Sequence, residues 1–215
     1  IARSVVQAQS LAVLMYLQRG IPIIYYGEEL GLENLTLPDA TAFSDPSVTG
    51  FIEAAVDAGY SREEALAMVN ATHKLPARGP MAWDATINGG FTSGTPWLIG
   101  KCNRRTHVAE QQHDAHSSLA FYKRLIALKK RPVFQTGNFR LLNTGPDSYV
   151  YLRQADKIVA VVAVALSDKP VKLKLPAGNY QALLIVGDAT LIEETLTLSA
   201  NSAAVFIQKK ERANP

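Results

Sequence analysis

"GIPIIYYGEELGL", residues 20 to 32, decides the fold class. "IPIIYY", Ile21 to Tyr26, is a short, unbroken apolar run of β-forming residues, the pattern of a parallel strand buried on both faces. Before it, Ala2 to Arg19 carries Val5, Val6, Leu11, Leu14, Met15 and Leu17 among few polar residues, and Gly20 and Pro22 close the run. That predicts a well-buried helix with a glycine stop. After it, Glu28 and Glu29 stand between glycines at what would be the strand's C-terminal end, the edge on which α/β barrels and open sheets build their sites. Helix, strand and acidic loop together make an α/β unit.

Two helical patterns follow between Pro46 and Lys74, and Ser61 with Glu64 three residues on marks the start of the second as a capping box. Asp39 and Asp45 read as turn and capping residues. Then comes "LPARGPMAWDATINGGFTSGTPWL", Leu75 to Leu98, with two tryptophans and no strand or helix period. A loop of this length inside a domain is functional or disordered. "SSLAFYKRLIALKKR", Ser117 to Arg131, returns to an amphipathic helix with a basic last turn, which Pro132 ends.

Beyond Pro132 the texture changes. "SYVYLRQ", "KIVAVVAVAL", "VKLKL", "NYQALLIV", "ATLIEETLTL" and "SAAVFIQK" are short β-rich runs divided by turn signals, which argue for an antiparallel sandwich or barrel. The boundary falls between Arg131 and Gly137, giving domains over residues 1–132 and 133–215. No internal repeat or low-complexity segment is visible.

The chain has 215 residues, 47% hydrophobic and 19% charged, ample for a substantial core and far from a disordered composition. Its net charge of +3 is spread thinly apart from Lys129, Lys130, Arg131 and Lys209, Lys210, Arg212. Neither cluster is interleaved with aromatics, so nucleic acid is not indicated. The apolar runs are far too short to cross a bilayer, which speaks against a membrane partner. Cys102 is the only cysteine and reads as a passive residue; the composition favours a reducing, cytoplasmic compartment and leaves no cysteine-based zinc site. The chain opens on Ile1, inside an apolar helical pattern with no methionine or cap, so the N-terminus is expected to be a cut rather than a start.

Taken in order, "GIPIIYYGEELGL", "DPSVTGFIEAAVDAGYSREEALAMVN", "ARGPMAWDATINGGFTSGTPWL" and "SLAFYKRLIALKKR" resemble the C-terminal part of α-glucosidases of the α-amylase superfamily, above all the oligo-1,6-glucosidase and dextran glucosidase branch. The resemblance implies α/β plus all-β architecture: the C-terminal segment of a (β/α)8 TIM barrel followed by an antiparallel β-sandwich. Ala2 to Arg19 would be the seventh helix, Ile21 to Tyr26 the eighth strand and Ser117 to Arg131 the eighth helix. It also implies that the nucleophilic aspartate, the acid/base glutamate and the stabilising aspartate precede residue 1. A retaining glycosidase needs two carboxyl groups about 5 Å apart, so the chain is expected to be inactive alone, with a missing N-terminal barrel portion as its partner. The parent would act on short α-glucosidic oligosaccharides without a cofactor. A transglycosylating or isomerising relative and a trehalose-phosphate hydrolase use the same parts.

On the resemblance Arg78, before "P-M-x-W", contacts the terminal glucose of the substrate. A guanidinium suits that place because its rigid fork serves a carboxylate and a sugar hydroxyl together. Gly79, Ala82, Leu75 and Pro76 depart from the residues usual there, which bears on the subsites beyond glucose. Trp83 is read as stacking on sugar or steadying the entrance, and Trp97 as pinning the loop. Adjacent Glu28 and Glu29 point to opposite faces of an extended chain and so read as structural rather than an acid/base pair. His107, His113 and His116 with Asp114 lie in a polar stretch before a helix and do not read as a metal site. Ser93 and Thr95 lack a nucleophile elbow. The rival reading is a non-catalytic carbohydrate-binding or structural β-module, for which the region after Gly137 offers Tyr149, Tyr151, Tyr180 and Phe206 but no tryptophan.

Overall fold

The computed structural model describes residues 4–98, 106–142 and 145–209, and Cys102, Lys210 and Arg212 lie outside them. The chain packs as two compact units, residues 1–24 with 120–215 and residues 25–119.

In the first unit, the helix expected over Ala2 to Arg19 is α1, Val5–Tyr16, capped by the Ser4 hydroxyl, which accepts from the Gln7 amide. In the second unit, the two patterns after Pro46 are α2, Pro46–Asp57, and α3, Arg62–Thr72. Asp45 caps α2, and Ser61 and Glu64 form the reciprocal capping box of α3. Phe43, Val48, Ile52, Ala65, Val69, Leu75 and Leu98 build a core between these helices and the loops around them. Asn70 on α3 locks Leu37 to it from both sides: its carboxamide oxygen accepts from the Leu37 amide and its nitrogen donates to the Leu37 carbonyl. The short α4, Val108–Gln111, follows.

The basic amphipathic helix is α5, Ser118–Lys129. Pro132 ends it and opens the brief α6, Pro132–Gln135, because a proline suits the first turn of a helix, where no amide is needed. The strands then run β1 Asn138–Leu142, β2 Ser148–Ala155, β3 Ile158–Ala165, β4 Val171–Lys174, β5 Gln181–Val186, β6 Ala189–Ile192, β7 Thr195–Leu198 and β8 Ala203–Lys209. They form a five-stranded sheet in the order β1-β2-β3-β8-β5 and a three-stranded sheet in the order β4-β7-β6, with every pairing antiparallel. "ATLIEETLTL" is a hairpin rather than one strand, turning at Glu193 with φ near +53°. β1, whose Asn138, Phe139, Arg140 and Leu141 alternate polar and apolar over only a few residues, is a strand that the sequence reading did not include.

β3 explains why a continuous apolar run can sit in an antiparallel sheet. Ala160, Val162 and Val164 enter the core shared with Tyr16, Leu17, Phe121, Tyr122 and Leu125 of the helical layer. Val159, Val161, Ala163 and Ala165 enter the core shared with Leu173, Leu196 and Leu198 of the smaller sheet. Both faces are covered, so the strand has no polar side, and the sandwich with helices against one sheet follows.

The segment Ile21 to Tyr26 departs from its expected form. Among the described residues no strand pairs with it and it carries no ladder. Its side chains still alternate: Ile21 and Ile23 are 92% and 85% exposed, while Ile24 packs against the helix-side core. The sequence has the composition of a strand, but a strand is defined by partners for its backbone groups.

Candidate active site

The loop from Leu75 onward is ordered by its own polar groups. Leu75–Arg78 is a single 3₁₀ turn with Leu75 and Pro76 buried and Arg78 exposed at its end. Three bonds hold the turn: the Leu75 amide donates to His73 Nδ1 at 3.1 Å, the Leu35 amide to the Pro76 carbonyl at 2.8 Å, and the Tyr26 hydroxyl to the Gly79 carbonyl at 3.0 Å. Gly79 lies so close to Leu35 that a Cβ there would meet its Cγ at 3.0 Å. A side chain at this position would require Leu35 to give way by a few tenths of an ångström.

The Tyr26 ring stacks at a tilt on Tyr25, with centroids 4.8 Å apart. Partial burial and the neighbouring Tyr25 push its phenol above the ordinary value, and the Arg78 charge opposes them. The phenol therefore keeps the proton it donates to Gly79, and Arg78 lies near enough for its charge to be felt there.

The next turn presents Trp83. Its amide donates to the Gly89 carbonyl and its carbonyl accepts from the Ala109 amide, so the backbone is fixed on both sides. The indole is 50% exposed. Asp84 accepts from the Thr86 amide and hydroxyl, Thr86 accepts in turn from the Gly90 amide, and these bonds hold the Asp84 carboxyl below its usual range, with His107 adding to the shift. Gly90, at φ near +67°, passes so close that a Cβ would meet an Asp84 oxygen at 2.5 Å. Asn88 then donates to the carbonyls of Thr92 and Gly94. The loop is thus a chain of small turns, which explains its lack of period.

Trp97 does not pin this loop. It is 73% exposed, and the anchor is its neighbour Leu98, which enters the core beside Phe43 and Ile52. A buried leucine brings no N–H that needs a partner, as a buried indole would.

Glu28 and Glu29 also differ from expectation. They begin a 3₁₀ turn, Glu28–Leu30, bracketed by Gly27 and Gly31 at φ near +85° and +67°, so the extended-chain geometry does not apply. One carboxylate oxygen of Glu29 is buried with no hydrogen-bond partner among the described residues. Below this turn Gln111, on α4, is a residue that no sequence pattern announced. Its buried side chain donates to the Leu30 carbonyl at 2.7 Å and to the Thr106 hydroxyl, and accepts from the Leu119 amide at 3.0 Å.

The histidine-rich stretch has local duties. His107 Nδ1 accepts from the Glu110 amide and caps α4, and Asp114 accepts from the His116 amide. Among the described residues no three side chains of metal-binding type converge. Asp39 and Asp45 cap helical turns as predicted. What the loop offers chemically is a cation at the end of a pinned turn and a half-exposed indole on the next one, groups suited to holding a polar ring with a flat apolar face.

Known proteins place this geometry in a family. The model of the alpha amylase catalytic domain matches residues 2–137. Oligo-1,6-glucosidase of Heyndrickxia coagulans is 34% identical over 184 residues, 82% of this chain and 33% of that protein. Trehalose-6-phosphate hydrolase of Bacillus subtilis is 33% identical over 155 residues, 71% of this chain and 28% of that one. Among solved structures, a family GH13_31 enzyme superimposes with a TM-score of 0.88 at 46% identity, covering 97% of this chain and 38% of its own. The trehalulose synthase of Pseudomonas mesoacidophila MX-45 does so with 0.81 at 31% identity, covering 95% and 38%. The chain thus spans about a third of the length of the curated relatives it matches. The chain belongs to the alpha-amylase family of glycosidases.

Proposed function

We propose that this chain is the C-terminal part of a retaining α-glucosidase acting on short α-glucosidic oligosaccharides. The observation that carries this reading is the turn Leu75–Arg78, held by three separate hydrogen bonds so that an exposed guanidinium stands at its end, in a chain whose relatives include oligo-1,6-glucosidases. Arg78 holds the terminal glucose through its hydroxyls, and Trp83 offers its half-exposed face to the ring or steadies the entrance. Ile21 to Tyr26 takes the place of the last barrel strand.

The reacting carboxyl groups belong to a barrel portion outside this chain. There an aspartate attacks the anomeric carbon while a carboxylic acid gives its proton to the leaving oxygen. Water then resolves the glucosyl ester, returning its proton to the same acid/base residue. On this reading the chain by itself is inactive. Its compartment is the cytoplasm, in keeping with a single cysteine and with no described helix long and apolar enough to cross a membrane.

The direct test assays p-nitrophenyl α-glucoside with the chain alone and with the chain joined to the barrel portion, after an intact-mass measurement of each sample. Turnover by the chain alone overturns the reading. A second reading is favoured by specific relatives, a trehalose-6-phosphate hydrolase and a trehalulose synthase. The joined enzyme would then cleave trehalose 6-phosphate or isomerise sucrose in preference to hydrolysing isomaltose, which product analysis separates.

A further inference from the structure

We propose that His73 is a positioning residue for Arg78, acting through the first peptide of the turn that carries it. The inference rests on the glucose-binding role of Arg78 proposed above. His73 is the residue immediately after α3, and its ring is held in three ways. Nδ1 accepts from the Leu75 amide at 3.1 Å, Nε2 lies 3.3 Å from a carboxylate oxygen of Asp45, and the ring meets the buried Phe43 edge to face with centroids 5.2 Å apart.

These contacts determine the tautomer. Nδ1 receives a proton from Leu75 and so must present its lone pair, which leaves the ring proton on Nε2, facing Asp45. Asp45 is itself fixed as the cap of α2, accepting from the Ser47 amide at 3.0 Å and the Ser47 hydroxyl at 2.7 Å. One ring therefore ties the start of α2 and the end of α3 to the amide that opens the turn. Arg78 is three residues further on, the last residue of the same 3₁₀ turn, whose first two side chains, Leu75 and Pro76, are buried, so a shift at the Leu75 peptide is passed along the turn to the backbone that carries the guanidinium.

His73 is suited to this for a local reason. It is extended, at φ −76° and ψ 143°, and its Nδ1 stands where an asparagine oxygen stands in an Asx-turn, two residues before the amide it receives. The two ring nitrogens can therefore be replaced separately. Asparagine reproduces the bond to Leu75 and is too short to reach Asp45; glutamine reaches towards Asp45 and places no acceptor at the Nδ1 position.

The test uses the active enzyme containing this chain, with kcat/KM on p-nitrophenyl α-glucoside, the melting temperature and hydrogen exchange of the peptide 73–79 measured together. Arg78→Ala lowers kcat/KM on the order of tenfold or more, as expected for the loss of a charged hydrogen bond. His73→Ala and His73→Gln lower it about tenfold through misplacement of the guanidinium, while His73→Asn keeps it within about threefold. Exchange of the peptide 73–79 rises in the alanine and glutamine variants and stays slow in the asparagine variant. If kcat/KM follows melting temperature across the three variants, with glutamine the better replacement, His73 only joins the helices and the proposal falls. It falls too if all three His73 variants keep full activity while Arg78→Ala loses it. Full activity in Arg78→Ala instead overturns the glucose-pocket reading itself.

Discussion

Arg153 on β2 donates to the carbonyl of Leu17, just past the end of α1, at 2.8 Å, and with its other terminal nitrogen to the carbonyl of Gly137 at 2.9 Å. The side chain is 0% exposed. It supplies what a helix C-terminus lacks, donors for its last carbonyls and a positive charge against the macrodipole. Lys129 adds a second cation by donating to the Gln18 carbonyl at 2.6 Å. Burial pulls both cations below their ordinary pKa values, and the charge of Arg153 lowers that of Lys129 further.

The first prediction follows from that geometry. Arg153→Met keeps the volume and removes the donors, leaving the Leu17 and Gly137 carbonyls without their present partners. A loss of about 1–3 kcal/mol per stranded group is expected, read from urea unfolding of the folded chain. An equal or higher midpoint would show that the buried charge costs as much as its bonds return.

Tyr26→Phe removes only the hydroxyl that reaches Gly79. Loss of one neutral hydrogen bond, about 1 kcal/mol, predicts a roughly fivefold fall in kcat/KM of the active enzyme if the turn slackens. The melting temperature should move little, because Tyr26 is exposed. Wild-type kinetics in this variant would mean that the bonds to Leu75 and Pro76 suffice.

Acid should weaken the residue 25–119 unit first. Asp39, Asp45, Glu64 and Asp84 are all held below their ordinary values, chiefly by hydroxyl or amide donors of Thr41, Ser47, Ser61 and Thr86. Groups depressed in the folded state contribute their stability in full above the unfolded carboxylate pKa, about 4, and lose it as pH falls through the lower folded values. Urea midpoints should therefore drop below about pH 4, less so in Asp45→Asn, and a flat profile there would contradict the capping roles.

Ile21 and Ile23 make the isolated chain prone to association, since exposed apolar side chains beside unpaired backbone form a template for strand addition. Sedimentation velocity should find oligomers or aggregates of the chain alone, reduced by the double substitution Ile21→Thr with Ile23→Thr. A monodisperse monomer of the unmodified chain would refute this.

How much of this was legible in the sequence depends on what each residue answers to. The capping box at Ser61 and Glu64 and the helix from Ser118 answer to neighbours within a few residues, and β2 and β3 answer to each other across a short turn; all stand where the pattern puts them. The strand character of Ile21 to Tyr26 answers to distant backbone partners, so composition alone could not supply the ladder. Trp97 and Leu98 exchanged roles because size does not decide which of two adjacent side chains faces a core. Two residues that hold the turn of Arg78, and the glutamine bonded to Leu30, were the hardest to foresee. Tyr26 was hidden in an apolar run, His73 closed a helix without a motif, and Gln111 lay in a polar stretch where one glutamine looks like the next.

β3 carries a consequence for how this sequence can vary. Its even-numbered side chains, Ala160, Val162 and Val164, fill one core and its odd-numbered ones, Val159, Val161, Ala163 and Ala165, the other. A slip of one residue would exchange the two sets, sending alanines where valines belong on both sides. In a sheet with one wet face polarity forbids such a slip; here both sets are apolar, and volume alone must hold the register. No position of this strand is therefore free of a packed core: a substitution at an even-numbered position must suit the helical layer, and one at an odd-numbered position the small sheet behind.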